Sequence, residues 1–257
     1  QLARLMSLAP GAAVSIEAEP EGPEVILALL SDGKETIPFG LSRPYDRRSD
    51  GEAGPMTEGM GAYAPFGDRA LEEHLMDKVA RPLLAGLSSE GLLPPAFLHL
   101  RIALDERPAL RELSWGLDDL HAVVTLPRWE GNLAALLQAA AQGEVEAVPA
   151  SWQPGATVAA AMVAQGYPAP CGVGYPVRGL DEANALIFHQ ATRLRVEETF
   201  PERGPWPSWL RPSAPHQPAG LSLPVITTAG RVLFVVGRGL TGAEARHQAY
   251  EAVERLS

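Results

Sequence analysis

The segment Gly54-Pro55-Met56-Thr57-Glu58-Gly59-Met60-Gly61-Ala62-Tyr63 constrains the fold of this chain more than any other stretch. It holds three glycines and one proline. Glycine reaches φ > 0 without a Cβ clash, and proline fixes its own φ. This composition predicts a tight loop rather than a packed element, and such a loop can turn its N–H groups towards ligand oxygens. An ordinary surface loop is the alternative interpretation of the same composition.

Composition excludes several functional classes. The chain has 257 residues, enough to bury a core in one or two domains, and 46% of them are hydrophobic. The net charge of −10, with no basic stripe, argues against a nucleic-acid surface. No apolar run is long enough to span a membrane. The single cysteine, Cys171, excludes an internal disulfide and favours a reducing compartment, so we expect a cytoplasmic protein.

Apolar periodicity predicts both strands and helices. Runs rich in β-branched residues predict strands at 13–19, 24–30, 35–38, 96–104, 109–113, 156–164 and 229–239. Helical spacing predicts helices at 69–85, 133–142 and 241–256. Asp68 should cap the first helix and a Thr241–Glu244 capping box the last, while Gly86 and Gly143 should end the first two. Residues 144–154 are predicted to be a linker, and the Pro- and Trp-rich residues 200–222 a surface loop.

Several motifs together resemble one enzyme family. GPMTEGMGAYAP is similar to the GP(N/M)TGGMGAYSP loop of glycinamide ribonucleotide synthetase, also called phosphoribosylamine–glycine ligase, a purine-biosynthesis family of the ATP-grasp superfamily. FHQAT is similar to the family's FHAGT, and GRVLFVVGRG to its GGRVLNVVALG. The resemblance covers most of this chain and about the C-terminal half of the family's length. It implies an α+β fold, with an ATP-grasp C-terminal-like subdomain of mainly antiparallel strands in residues 1–150. A small β-rich domain with a C-terminal helix would follow in residues 151–257.

The resemblance also implies an activity and its site residues. The reaction would use ATP and magnesium to convert glycine to an acyl phosphate, which the amine of phosphoribosylamine attacks. Glu17 and Glu24 would bind the nucleotide, while Glu112 and Ser114 would hold the metal. No catalytic residue is assigned, and His189 is expected to be an ordinary strand histidine. The implied substrate-binding residues are Arg48, Asp50, Gly54, Pro55, Thr57, Gly59, Met60 and Asp119.

Among the departures from the family's motifs, four weigh against activity. Glu58 replaces the first glycine of the loop's Gly-Gly pair, where we expect its Cβ to strain a backbone with φ > 0. Ser114 replaces the metal-binding asparagine, Gly116 an arginine and Val173 a lysine. A serine hydroxyl is a poor magnesium ligand, and the two lost cations would have offset phosphate charge.

Two hypotheses follow for the function. The first is a ligase-related protein of purine biosynthesis that lacks the N-terminal domain and the ATP lid. It would be inactive as this chain alone and would keep the scaffold for binding or assembly. The second is the catalytic portion of an ATP-dependent ligase that joins glycine to phosphoribosylamine, completed by another chain or by an N-terminal half. We expect a nucleotide or phosphoribosyl ligand, and either a lid-bearing partner chain or a homo-oligomer.

Overall fold

The computed structural model of this chain describes residues 22–195 and 224–257. Its strands are β1 (Glu24–Asp32), β2 (Thr36–Ser49), β3 (Ala53–Ala64), β4 (Pro95–Ala103), β5 (Ala109–Trp115), β6 (Ala156–Val163), β7 (Pro176–Val177), β8 (Leu186–His189), β9 (Thr192–Leu194), β10 (Val225–Thr227) and β11 (Arg231–Gly239). Within the described ranges, eight of them form one antiparallel sheet in the order β5-β4-β1-β2-β3-β6-β11-β8. The other three form a small sheet, β7-β10-β9. The mixed α+β prediction is confirmed.

The helices cover both faces of the large sheet. They are α1 (Arg69–Leu75), α2 (Arg81–Ser89), α3 (Asp119–Thr125), α4 (Leu133–Gln142) and α5 (Gly242–Val253). A π-helical turn, Met76–Ala80, joins α1 to α2, and single 3-10 turns lie at Leu126–Arg128 and Val145–Ala147. Strand register places α1, α2 and α5 on one face and α3 and α4 on the other. Among the described helices, none has the length and apolar character needed to cross a bilayer.

The predicted glycine loop is part of strand β3, in which Gly61–Ala64 pair with β6, but residues 57–60 bulge out of the ladder with β2 between the pairs Arg47–Met56 and Tyr45–Gly61. Gly61 pairs with Ala160 of β6. A Cβ built on Gly61 would lie 2.4 Å from the carbonyl oxygen of Ala159. Gly61 therefore permits the close approach of a neighbouring strand, while the bends of β3 fall at Gly54 and Gly59, with φ of 81° and 112°.

The first helix runs past its predicted end. Asp68 caps it as predicted, its side chain accepting from the Leu71 N–H at 2.9 Å. Gly86, however, lies inside α2, which ends at Ser89. The π-helical turn ends two residues before Pro82, which has no N–H to donate to a carbonyl one turn earlier. The helix therefore accommodates proline by a local change of hydrogen-bond spacing and continues.

Residues 144–154 are packed rather than a loose linker. Val145 is fully buried, and its N–H donates to the Asp32 carboxylate at 3.0 Å. The Trp152 ring packs edge-on against Phe39, with 5.0 Å between ring centroids. Gly143, in the left-handed region at φ 79°, ends α4 as predicted. The strands of the large sheet come from both sides of this segment, and the division into two domains at residue 150 stays a prediction.

The C-terminal helix packs closely on β11. A Cβ on Gly237 would lie 2.1 Å from the carbonyl oxygen of Ala245, and both Ala245 and Ala249 are fully buried. The predicted Thr241–Glu244 capping box is confirmed, although the helix ends at Val253 rather than near residue 256. The predicted strands at 24–30, 96–104, 109–113, 156–164 and 229–239 are also confirmed. The predictions for 13–19 and 200–222 lie outside the described residues.

Candidate functional site

The two predicted metal ligands lie on the edge strand β5, each opposite a basic residue of β4. Glu112 pairs with Arg101 and Ser114 pairs with His99. Residues directly opposite each other in an antiparallel pair point to the same face of the sheet. Arg101 and His99 therefore share the face of Glu112 and Ser114, and they were not predicted to belong to the site.

Arg101 is the centre of an ion-pair network across four strands. Its guanidinium bonds to the Asp46 carboxylate on β2 and lies 3.2 Å from Glu24 on β1. Arg111 of β5 lies 2.9 Å from the other oxygen of Glu24. The side chains of Arg101 and Asp46 are only 17% and 13% exposed. Burial works against the guanidinium, but Asp46 and then Glu24 outweigh it and raise the pKa of Arg101, which stays charged.

The second predicted metal ligand is in contact with a buried histidine. The Ser114 hydroxyl lies 3.3 Å from Nδ1 of His99, which is 3% exposed. Burial lowers the pKa of His99, and the charges of Asp118 and Glu112 only partly oppose this shift. His99 is therefore neutral near pH 7, and its Nε2 has no partner among residues 22–195 and 224–257.

These residues do not fit a magnesium site. Magnesium prefers charged oxygen ligands held in octahedral geometry. Here Glu112 is exposed beside an internal guanidinium, and the Ser114 hydroxyl contacts an imidazole. Within the described parts of the chain there is also no group of three or more His, Cys, Asp or Glu side chains that could hold a metal ion. The guanidinium of Arg101 already supplies the positive charge that Glu24 and Asp46 require.

The polar groups of β3 are satisfied inside the protein. The Thr57 hydroxyl donates to the carbonyl of Asp46 at 2.7 Å and accepts from the Gly59 N–H at 2.9 Å. The Glu58 N–H donates to the Tyr167 hydroxyl at 3.0 Å. The expected strain at Glu58 is wrong, because Glu52 is the only non-glycine residue with positive φ in the described part of the chain.

Arg231, at the start of β11, binds the backbone of β3 at the same residues. Its guanidinium donates to the carbonyls of Glu58 and Gly59 and lies 3.5 Å from the carboxylate of Asp119. The side chain is 7% exposed and stacks over the Phe234 ring. An arginine at the first position of an apolar strand gives no sequence signal for burial, so this contact was not predicted.

The remaining predicted substrate residues lie elsewhere. Arg48, Asp50 and Met60 line a cleft of 860 Å³ between the sheet and α5, on the face opposite Arg101. Gly54 accepts from Arg47 at 3.0 Å, and Pro55 beside it is exposed. The structure therefore brings the predicted substrate residues together only in separate groups, with Arg48, Asp50 and Met60 at this cleft and Gly59 and Asp119 around Arg231. Glu17 lies outside the described residues, and His189 bonds to Thr192 at 2.8 Å as an ordinary strand histidine.

Two family models match this chain. Residues 5–112 match the phosphoribosylglycinamide synthetase ATP-grasp (A) domain. Residues 157–257 match the phosphoribosylglycinamide synthetase C domain. The segment between them, residues 113–156, contains two predicted site residues, Ser114 and Asp119.

Curated relatives are identical to the chain at about a third of the aligned positions. It is 31% identical over 257 residues to a phosphoribosylamine–glycine ligase from Vigna unguiculata, covering 75% of that protein. It is 32% identical over 253 residues to one from Allochromatium vinosum, with 96% of this chain covered. The chain spans 53% of the Allochromatium protein, about half the length of the bacterial relatives.

Solved structures agree on the fold. The crystal structure of a phosphoribosylamine–glycine ligase from Thermotoga maritima superposes with a TM-score of 0.74 at 24% identity, over 94% of this chain and 54% of that one. An L-amino acid ligase from Bacillus licheniformis superposes with a TM-score of 0.54 at 15% identity, over 93% of this chain and 52% of that one. With the family models and the curated relatives, these matches show that the chain belongs to the phosphoribosylamine–glycine ligase family of ATP-grasp proteins.

Proposed function

We propose that this chain is a purine-biosynthesis ligase relative that keeps the family's scaffold but does not ligate glycine to phosphoribosylamine by itself. The observation that carries this proposal is the ion pairing of Arg101 with Glu24 and Asp46. Arg101 lies opposite Glu112, the carboxylate that the resemblance assigns to magnesium. The scaffold then serves for binding or assembly.

The electrostatic argument is direct. A divalent cation bound at Glu112 would lie on the strand position opposite a guanidinium whose charge is fixed, and like charges repel one another. Moving Arg101 away would leave Asp46 without a cation and Glu24 with Arg111 alone. Magnesium and ATP would therefore have to displace an existing ion pair before they gained any contact with the protein.

Calorimetric titration of Mg–ATP into the purified chain tests the proposal. We expect no binding heat for the parent chain or for Glu112→Ala. The matched control is Glu106→Ala, which removes an exposed carboxylate on the turn before β5. Micromolar binding that Glu112→Ala weakens and Glu106→Ala leaves unchanged would overturn the proposal.

The second candidate is the catalytic portion of an ATP- and magnesium-dependent ligase. It is favoured by coverage, since the chain spans only 53% of the Allochromatium relative. Mixing the chain with the N-terminal half of that relative tests it. Release of ADP that requires both glycine and phosphoribosylamine would establish this candidate, and no release from the mixture would count against it.

Self-association in the cytoplasm is also part of the proposal. The edge strand β5 exposes Trp115 and Leu110, which are 49% and 37% accessible. Among the described residues β5 has no partner strand on its outer side, and such an edge with apolar side chains favours pairing with another chain. We expect light scattering to give a mass above that of one chain, and Trp115→Lys to lower it. A monomer at working concentration would contradict this expectation.

A further inference from the structure

A second cleft, far along the sheet from Glu112, has the features of a small-molecule site. Its volume is 620 Å³, within the usual range for ligand pockets. It lies between the beginnings of β2 and α1 and the end of α3. Its lining includes Thr125, Arg128, Glu72 and Trp152, and none of the predicted site residues.

Arg128 supplies a cationic side chain to one wall of this cleft. The side chain is half-buried, and its Nη2 donates to the carbonyl of Gln153 at 3.2 Å. No carboxylate lies within ion-pair distance of it in the described part of the chain, and its buried Nε has no hydrogen-bond partner there. Burial lowers the pKa of Arg128. A buried donor of a charged group is costly unless an acceptor, such as an anionic ligand, reaches it.

Thr125 adds a second unmatched polar group. It is 2% exposed, and its hydroxyl has no partner among residues 22–195 and 224–257. Thr125 lies one turn before Arg128, at the end of α3, so both line the same part of the cleft. A carboxylate accepts hydrogen bonds from a hydroxyl and a guanidinium together.

The opposite wall carries three carboxylates and one arginine. Asp68 caps α1, and Arg69, Glu72 and Glu73 come from its first five residues. Asp68 is used as the cap, and Glu73 pairs with Arg81 at 2.6 Å. Glu72 has no hydrogen bond to a described side chain, and burial raises its pKa, with Arg69 opposing the shift. A cationic amine is the group that would satisfy this carboxylate.

Apolar surface connects the two charged walls. Ile37, Leu41 and Phe66 line the cleft with Trp152. A ligand with one anionic end, one cationic end and an apolar side chain matches this arrangement. We propose that the cleft binds a zwitterion of amino-acid to dipeptide size, with its carboxylate on Arg128 and Thr125 and its ammonium on Glu72.

Titration calorimetry and ligand-observed NMR on the whole chain test this site. The probes are L-phenylalanine and L-alanyl-L-phenylalanine, with N-acetyl-L-phenylalanine and phenethylamine as analogues that lack the ammonium or the carboxylate. We expect one of the two zwitterions to bind and both analogues to bind about tenfold more weakly or not at all. Equal binding of the analogues, or no binding of either zwitterion up to about 10 mM, would overturn the proposal.

Three variants locate the site. Arg128→Leu and Glu72→Gln should each weaken zwitterion binding about tenfold, and Thr125→Val, which keeps the side-chain shape, by a smaller factor. The control is Arg107→Gln, which removes an exposed arginine on the turn before β5. Circular dichroism checks that each variant is folded, and if Arg128→Leu does not fold, Glu72→Gln and Thr125→Val decide. Folded variants that bind as the parent does would overturn the assignment.

Discussion

The guanidinium of Arg101 on β4 bonds to the carboxylate of Asp46, which lies two strands away on β2. Between these strands, β1 contributes Glu24 to the same guanidinium. One arginine therefore neutralises two carboxylates contributed by strands that are distant in sequence. This network has consequences for stability that can be measured separately from ligand binding.

Replacing Arg101 by glutamine should destabilise the fold. Asp46 would be left as a mostly buried charge without a cation, while Glu24 would keep only Arg111, and removing one partner of such a buried pair costs about 3 kcal/mol in unfolding free energy. Urea denaturation of Arg101→Gln and of Arg101→Gln/Asp46→Asn checks this. The double variant should be more stable than the sum of the two single changes, whereas strict additivity would contradict the coupling.

A buried histidine should make stability depend on pH. His121 is fully buried, with Nδ1 2.8 Å from the Ser42 hydroxyl and Nε2 3.2 Å from the carbonyl of Phe39. Burial lowers its pKa from the ordinary 6.5 to about 4, although the hydrogen bond to Phe39 opposes this. The unfolded chain therefore takes up a proton near pH 6.5, while the folded protein does so only near pH 4.

The free energy of unfolding should consequently fall by about 3 kcal/mol as the pH is lowered from 6.5 to 4, because the unfolded state binds the extra proton. Denaturation at a series of pH values measures the slope. His121→Gln should flatten the slope in this window, and His74→Gln, an exposed histidine on α1, should leave it unchanged. An unaltered slope in His121→Gln would contradict the assignment.

The turn between β1 and β2 depends on one carboxylate. Asp32 accepts from the N–H groups of Lys34 at 2.9 Å, Glu35 at 2.7 Å and Val145 at 3.0 Å. Burial works to raise its pKa, but these three hydrogen bonds outweigh it, so the pKa lies below the ordinary value of 3.8. The stabilisation is present above pH 3.8 and is lost as the pH falls through the lowered pKa.

Asp32→Ala should therefore cost about 3 kcal/mol at neutral pH, because it leaves three N–H groups without a charged acceptor. Asp32→Asn should cost less, since one oxygen acceptor remains. Thermal or urea denaturation measures both, with Glu35→Ala as the control on the same turn, where the side chain is exposed. A loss for Asp32→Ala no larger than that for Glu35→Ala would exclude this role.

Gly59 and Gly116 have nearly the same φ, so their alanine variants distinguish the cost of backbone strain from that of a steric clash. Gly59 has φ 112° and Gly116 has φ 111°. A Cβ on Gly59 would lie 2.3 Å from Cδ1 of Leu120, whereas nothing lies within 4 Å of a Cβ on Gly116. Gly116→Ala should cost about 1 kcal/mol from backbone strain alone, and Gly59→Ala about 2 kcal/mol more.

Denaturation of both alanine variants measures the difference. In the background of Leu120→Ala, which removes a buried core side chain and is itself destabilising, adding Gly59→Ala should cost only the strain part. Equal losses for Gly59→Ala and Gly116→Ala would show that Leu120 moves aside at no cost.

The sequence correctly predicts the strands and helix ends that are determined by neighbouring residues. The β-rich runs that form β1, β4, β6 and β11 and the capping box at Thr241 need no information from distant residues. Sequence reasoning missed the strand character of the glycine segment because Gly61 is required by the approach of Ala159, nearly 100 residues later. The contacts of Arg101 and Arg231 were missed for the same reason, since their partners lie 55 and 173 residues away.

The pairing of β3 with β6 joins the strands that lie before residue 150 to those that lie after it. A protease cut in residues 144–154 would not by itself free two separate products, because the β3–β6 hydrogen bonds would still hold them together. If the two fragments were separated, each would expose an edge strand with unpaired N–H and C=O groups. The two fragments should consequently reassemble with each other when mixed, and aggregate when kept alone.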